Sequence, residues 1–171
     1  MFTGITRGLF TATVIKKKDL YLRYKVMIDA SFAKDIKVSD SVSIDGVCQT
    51  VVYKEGFFFE FEAIEETLRL TNLKNLKSGD LVSVEPSLCF GDPIGGHLSS
   101  GHIVGTAKII GQDITKDNLT LKLQCPKEWI DYILPKGFIT LDGSSLTVGK
   151  TSTCKDFTYF EVYLIPETRR L

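Results

Sequence analysis

The sequence predicts an all-β protein of two tandem small antiparallel barrels related by internal duplication. Three observations lead there. The segment 43–51, SIDGVCQTV, reappears at 140–148 as TLDGSSLTV. Short β-branched and aromatic runs alternate with Gly-, Asp- and Lys-rich turns, the pattern of many short strands rather than of helical layers. Apolar residues at helical spacing are confined to a minority of the chain.

The duplication holds along most of each half. Asp45, Gly46 and Thr50 coincide with Asp142, Gly143 and Thr147 at an offset of 97, and the same offset carries Gly4 onto Gly101 and Gly8 onto Gly105. A third block, Glu66-Thr67-Leu68-Arg69-Leu70, resembles Glu167-Thr168-Arg169-Arg170-Leu171 at an offset of 101, because the second half carries four extra residues upstream. So long a period means a duplicated domain, not a solenoid repeat.

In chain order, Ala30 to Asp35 reads as a short helical turn, 43–51 as strand, Asp-Gly turn and strand, and Phe57 to Ala63 as a strand. After Leu70 come a link and another strand, Asp80 to Glu85. The unit boundary falls near Pro86 to Phe90, which gives units 1–87 and 88–171. Cys125 to Leu134 has Pro early and apolar residues at helical spacing, so a helix is expected there. Segments 140–148 and 159–164 repeat the strands of the first half. The second block ends at Leu171 with no counterpart of the strand at 80–85. A closing strand is therefore expected beyond it, the alternative being an open second barrel with an unpaired sheet edge.

Bulk properties bound the function. At 171 residues and 43% hydrophobic content the chain can bury a core. Lys+Arg and Asp+Glu balance at 21 each, so no basic field points to nucleic acid, and a nucleic-acid module would also need a basic-aromatic stripe. Cys48, Cys89, Cys125 and Cys154 stand apart with no CxxC pair, which fits neither a zinc site nor a disulfide framework and suits a reducing cytoplasm. The start, MFTGITRGLF, lacks a signal-peptide pattern, and no run reaches the roughly 18 apolar residues of a membrane helix.

Both histidines, His97 and His102, lie in the glycine-rich stretch GGHLSSGH at 95–102. Read as structure this is a turn with two exposed imidazoles; read as chemistry, imidazoles near neutral pH suit proton transfer. A third metal ligand is not apparent, so no metal is expected. Cys48 and its repeat partner Ser145 are either small residues packed in strands or paired polar groups facing equivalent pockets. Asp45 and Asp142 open hairpin turns. Gly4-Ile5-Thr6 and Gly101-His102-Ile103 offer backbone groups unobstructed by a Cβ at the glycines, suited to a planar heterocycle with imide-like edges.

Met1 to Ile5, the block Gly46 to Val51, Glu66 to Arg69, GGHLSSGH, and Lys136-Gly137-Phe138 leading to 142–148 together resemble the riboflavin synthase α-chain family over essentially the whole chain. The resemblance implies two six-stranded Greek-key barrels, each binding one 6,7-dimethyl-8-ribityllumazine, and a C-terminal helix that assembles a homotrimer. It implies an active site between the N-barrel of one subunit and the C-barrel of its neighbour, a four-carbon transfer giving riboflavin and 5-amino-6-(ribitylamino)uracil, no cofactor, and lumazine synthase as a partner. The N-site contacts then fall on Gly4, Ile5, Thr6, Ser41, Cys48, Gln49, Thr50, Glu62, Ala63, Ile64, Glu65, Glu66 and Thr67. The C-site contacts fall on Gly101, His102, Ile103, Lys136, Ser145, Leu146, Thr147, Tyr163, Leu164, Ile165, Pro166, Glu167 and Thr168.

By the same resemblance His102, Cys48, Ser145 and Asp142 look catalytic, supported by Phe2 and His97. Either Cys48 or Ser145 suits the nucleophile, or either positions water or the ribityl hydroxyl. Gln49 departs from the family, standing where an apolar residue is common. The alternative from another class is a non-catalytic lumazine- or flavin-binding protein of the same fold, and the presence of both half-sites argues for the enzyme.

Overall fold

The computed structural model describes residues 1–170, apart from the side chains of Phe32 and Arg170. Leu171, the last residue of the third repeated block, lies outside the described residues. The first unit contains β1 (Gly8–Lys18), β2 (Tyr21–Met27), α1 (Ala30–Ala33), β3 (Ser41–Ile44), β4 (Val47–Glu55), β5 (Phe58–Ile64), α2 (Glu65–Leu70) and β6 (Leu81–Pro86). Its strands close into a barrel in the order β1-β2-β5-β4-β3-β6, a Greek key. Along β2 and β5 buried and less buried residues alternate, and the inward set, Leu22, Tyr24, Val26, Phe59, Phe61 and Ala63, forms much of the core.

The second unit contains β7 (Lys108–Ile114), β8 (Leu119–Pro126), β9 (Phe138–Leu141), β10 (Ser144–Cys154) and β11 (Phe157–Leu164). Its five-stranded sheet follows the order β7-β8-β11-β10-β9, that of the first barrel without β6. A smaller core of Leu123, Cys125, Ile133, Leu146, Val148, Phe160 and Val162 lies within it. Among the described residues no helix is long and apolar enough to cross a membrane.

The repeated hairpins match in register. Ser43 faces Cys48 and Ile44 faces Val47 in the first; Thr140 faces Ser145 and Leu141 faces Ser144 in the second. Both turns have left-handed central residues, Asp45 at φ 48° and Gly46 at 80°, Asp142 at 45° and Gly143 at 86°. This is the two-residue hairpin geometry for which Asp-Gly is favoured.

The helix expected at Cys125 to Leu134 does not form as such. Cys125 and Pro126 end β8, paired with Thr158 and Phe157 of β11, and only Lys127–Tyr132 coils, as a 3-10 helix closed by the Ile133 N–H on the Ile130 carbonyl. Strand pairing captures its start and Pro135 disfavours α geometry at Leu134, which confines the coil to a short stretch between them. The repeated block Glu66 to Leu70, to which the sequence assigned no helix, lies in α2.

Candidate active site

Two half-sites arise where the outward residues of β4 and β10 meet glycine-bearing segments from the opposite unit. On β4 the inward positions are Val47, Gln49 and Val51, which leaves Cys48 and Thr50 on the outer face. Ser41 is the cross-strand partner of Thr50. The Cys48 N–H donates to the Gly101 carbonyl at 2.9 Å. Gly101, at φ 74°, brings its backbone so close that a Cβ would lie 2.8 Å from that of Cys48 and 2.9 Å from the Phe2 ring.

The second half-site repeats this contact with the units exchanged. Ser145 and Thr147 are the outward residues of β10, and the Ser145 N–H donates to the Gly4 carbonyl at 2.8 Å. Gly4, at φ 72°, would place a Cβ 2.7 Å from that of Ser145. The sequence reading grouped Gly4 to Thr6 with Cys48 and Gly101 to Ile103 with Ser145. The structure corrects that grouping: each glycine segment crosses to the other unit, because Phe2 and Ser99 exchange both backbone hydrogen bonds, at 2.8 and 2.9 Å, and bind the two segments side by side.

The half-sites differ in chemistry. His97 sits between two hydroxyls that face each other across β9 and β10, with Nδ1 2.6 Å from Ser145 Oγ and Nε2 2.9 Å from Thr140 Oγ1. Phe138 stacks on the imidazole at 4.3 Å between centroids. Burial holds the His97 pKa below its ordinary value, favouring the neutral ring. A neutral imidazole accepts at one nitrogen and donates at the other, so it links the two hydroxyls in one direction of proton flow.

His102 takes a different place. Its side chain is exposed and lines a cavity of about 570 Å³ with Trp129, Tyr132, Ile133 and Phe160, while its N–H donates to Ser100 Oγ at 3.1 Å. Thr140, whose hydroxyl meets His97 Nε2, borders the same cavity. Phe2 is buried beneath the Gly101 segment.

Asp142 and Asp45 meet at the junction of the two hairpins. A Cβ on Gly46 would come within 3.0 Å of Gly143 Cα, so the two turns pack backbone to backbone. Asp45 Oδ1 accepts the Ser83 N–H at 2.7 Å, Ser83 Oγ donates to the Asp142 carbonyl at 3.1 Å, and Asn72 Nδ2 donates to Asp142 Oδ1 at 3.3 Å. Burial, partly offset by the Ser83 N–H and reinforced by the nearby Asp142 charge, pushes the Asp45 carboxyl up to about 6. Burial raises that of Asp142 as well. Both aspartates border a cavity of about 650 Å³ between the units, lined also by Ile103, Thr140, Ser144 and Leu146.

The remaining sequence-predicted residues spread around these centres. Gln49 points into the first barrel, where Tyr24 donates to its Oε1 at 3.2 Å and its Nε2 donates to the Cys48 carbonyl at 2.9 Å, so its side chain belongs to the core. Ala63 and Leu146 are likewise turned inward. Glu62 lies on the outer face of β5, paired with Arg23 at 3.1 Å, and Ile64 is exposed beside Glu65, Glu66 and Thr67 at the start of α2. Lys136 occupies a left-handed turn at φ 65°, its N–H on the Val148 carbonyl. Tyr163 donates to Glu161, Leu164 ends β11, and Ile165, Pro166, Glu167 and Thr168 lead into the 3-10 turn Thr168–Arg170.

Sequence reasoning missed Thr140, Phe138 and Glu85. Thr140 stood in the repeated block at the position of Ser43, which marked it as equivalent but not as a partner of histidine. Glu85 carried a usable signal: an acidic residue inside the apolar run LVSVEP, whose carboxylate, if buried, needs donors. Among the described residues no group of three or more His, Cys, Asp or Glu could hold a metal ion.

Comparison with known proteins agrees with the duplicated architecture. The lumazine binding domain family matches residues 3–87 and again 100–171. The riboflavin synthase of Escherichia coli is 41% identical over 171 residues, covering 98% of this chain and 78% of that protein. The chain belongs to the riboflavin synthase family. The riboflavin synthase of Chlamydia trachomatis is 37% identical over 171 residues, covering 99% of the chain and 80% of that relative. Among solved structures, LumP complexed with riboflavin superposes with a TM-score of 0.80 at 22% identity, covering 100% of this chain and 94% of that one. LumP complexed with 6,7-dimethyl-8-(1'-D-ribityl) lumazine gives 0.77 at 22%, covering 95% and 86%, and both show the same fold.

Proposed function

We propose that the chain is a transferase acting on two molecules of 6,7-dimethyl-8-ribityllumazine, moving four carbons from one to the other to yield riboflavin and 5-amino-6-(ribitylamino)uracil. The observation that carries this reading is that one half-site is built twice, with a strand bearing a small nucleophilic side chain (Cys48, Ser145) held to a glycine carbonyl (Gly101, Gly4) from the other unit. A reaction between two copies of one substrate calls for two similar cradles. Holding the rings face to face supplies much of the rate by removing the entropy of encounter.

The chemistry needs a proton taken from the acidic 7-methyl group of one lumazine and a nucleophile added at C7 of the other. The His97–Ser145–Thr140 chain is the proton-handling group closest to hand, since Ser145 Oγ can pass its proton to a neutral imidazole. Cys48 faces the other cradle, and His102 borders the adjoining cavity, where it can exchange protons with solvent. Units 1–87 and 88–171 each carry the strand of one lumazine half-site, completed by the glycine segment of the other unit, and the two rings meet between units of different chains in a cytoplasmic homotrimer, with lumazine synthase as the partner that hands over substrate.

Incubation with the lumazine alone tests the reaction. Riboflavin and the uracil are expected in equal amounts, one of each per two lumazines consumed. Tight binding without product would contradict the reading and leave a ligand carrier.

A further inference from the structure

We propose that Glu85 is a positioning residue for the His97–Ser145 pair, acting through the Thr3–Gly4 segment. Glu85 is 5% exposed on β6, in the first unit. Its Oε1 accepts the Thr3 N–H at 2.6 Å and the Thr3 hydroxyl at 2.7 Å, and its Oε2 accepts the Gly4 N–H at 3.0 Å. The same two residues present their carbonyls to the second half-site. The Thr3 carbonyl accepts the His97 N–H at 3.0 Å and the Gly4 carbonyl accepts the Ser145 N–H at 2.8 Å. One carboxylate thus holds two residues on their donor side while those residues hold, on their acceptor side, the two whose side chains meet at 2.6 Å.

The segment has no slack to absorb a shift. A Cβ on Gly96 would lie 2.9 Å from Ser145 Oγ, and one on Gly4 2.7 Å from Ser145 Cβ, so backbones and side chains are already at contact. A hydrogen bond as short as that between His97 and Ser145 weakens steeply when either partner moves or tilts. Burying a carboxylate is expensive unless its lone pairs are used, and here three donors use them. Glu85 touches neither reacting side chain; its effect on them passes through backbone.

The inference rests on the proposed reaction for its kinetic arm but not for its structural one. In Glu85→Gln one of the two acceptor oxygens becomes an NH2, so the Gly4 N–H or the Thr3 donors face a donor and the grip is weakened with little change in volume; Glu85→Asp keeps only acceptors. With 6,7-dimethyl-8-ribityllumazine as substrate, Glu85→Gln is expected to lower kcat roughly 10- to 100-fold, the usual cost of a misplacement of about 1 Å, with KM within about threefold. Glu85→Asp should recover a substantial part of kcat. Amide hydrogen exchange, which needs no turnover, should quicken about tenfold or more at His97 and Ser145 and stay unchanged at Cys48. Should the Gln variant not fold, Glu85→Asp alone decides, by exchange at the same amides. A folded Gln variant with parental kcat, or either folded variant with parental exchange at both amides, overturns the proposal. A parent that makes no riboflavin overturns the proposed function instead, and the exchange data still decide the role of Glu85.

Discussion

His97 gains its importance from what lies on either side of its ring. With Ser145 Oγ at 2.6 Å and Thr140 Oγ1 at 2.9 Å, it is placed to take a proton from one hydroxyl and give one to the other. Replacing it by Gln should slow turnover roughly 10²- to 10⁴-fold, the worth of a positioned acid or base. Its pKa is depressed, so the ring stays neutral down to below its ordinary value of 6.5, and activity should fall only as pH drops through that lower range. In His102→Gln the same acid limb should remain; an acid limb that survives in His97→Gln would remove His97 from the proton path. Asp45 gives a separate test at this scale. Its carboxyl titrates at about 6 in the fold against an ordinary 3.8, so the native state binds its proton more tightly than the unfolded chain. That contribution is complete below about pH 4 and is lost as pH rises through about 6. Asp45→Asn keeps an oxygen for the Ser83 N–H and suits the left-handed turn, so the variant should gain on the parent by up to about 3 kcal/mol between pH 4 and pH 7. Chemical denaturation at both pH values measures this, and an equal difference at the two would contradict the assignment.

At the scale of elements, the paired Asp-Gly hairpins do two things: they set strand register, and they form the contact between units. Gly46 at φ 80° has no room for a Cβ against Gly143. Gly46→Ala therefore combines left-handed strain with overpacking and should cost about 2–4 kcal/mol by thermal or chemical denaturation. Gly56 has the same sign of φ at 57° but nothing near its Cβ position, so Gly56→Ala should cost about 1 kcal/mol. Equal losses would show that the hairpin contact contributes nothing. These hairpins were legible in the sequence because a two-residue turn writes its φ requirement directly into Asp-Gly. The stretch 125–134 was misread because its apolar spacing suits a helix equally well, and only pairing with β11 decides where the strand ends. Gln49 was legible as a departure but not as a core residue, since its polarity is satisfied by Tyr24, far away in sequence.

For the whole molecule, the duplication disclosed two cradles, while their crossed construction came only from contacts between segments far apart in the chain. An offset of 97 says that Gly4 and Gly101 are equivalent; it does not say which strand each one serves. The backbone exchange of Phe2 with Ser99 makes that choice, leaving Gly4 on Ser145 and Gly101 on Cys48. Two cradles in one chain do not by themselves bring two rings together, and the account holds that the rings meet between the first unit of one chain and the second unit of another. Cys48→Trp and Ser145→Trp each overfill one cradle, where even a Cβ on the facing glycine would lie within 2.8 Å of the native Cβ, so each variant alone should be nearly inactive. In mixed assemblies some contacts pair the intact first unit of the Ser145 variant with the intact second unit of the Cys48 variant. The decisive measurement is the rate of riboflavin formation after the two variants are mixed, with subunit exchange verified by mass spectrometry. The account predicts a rate well above the sum of the parents; a rate that stays at that sum after exchange would contradict it.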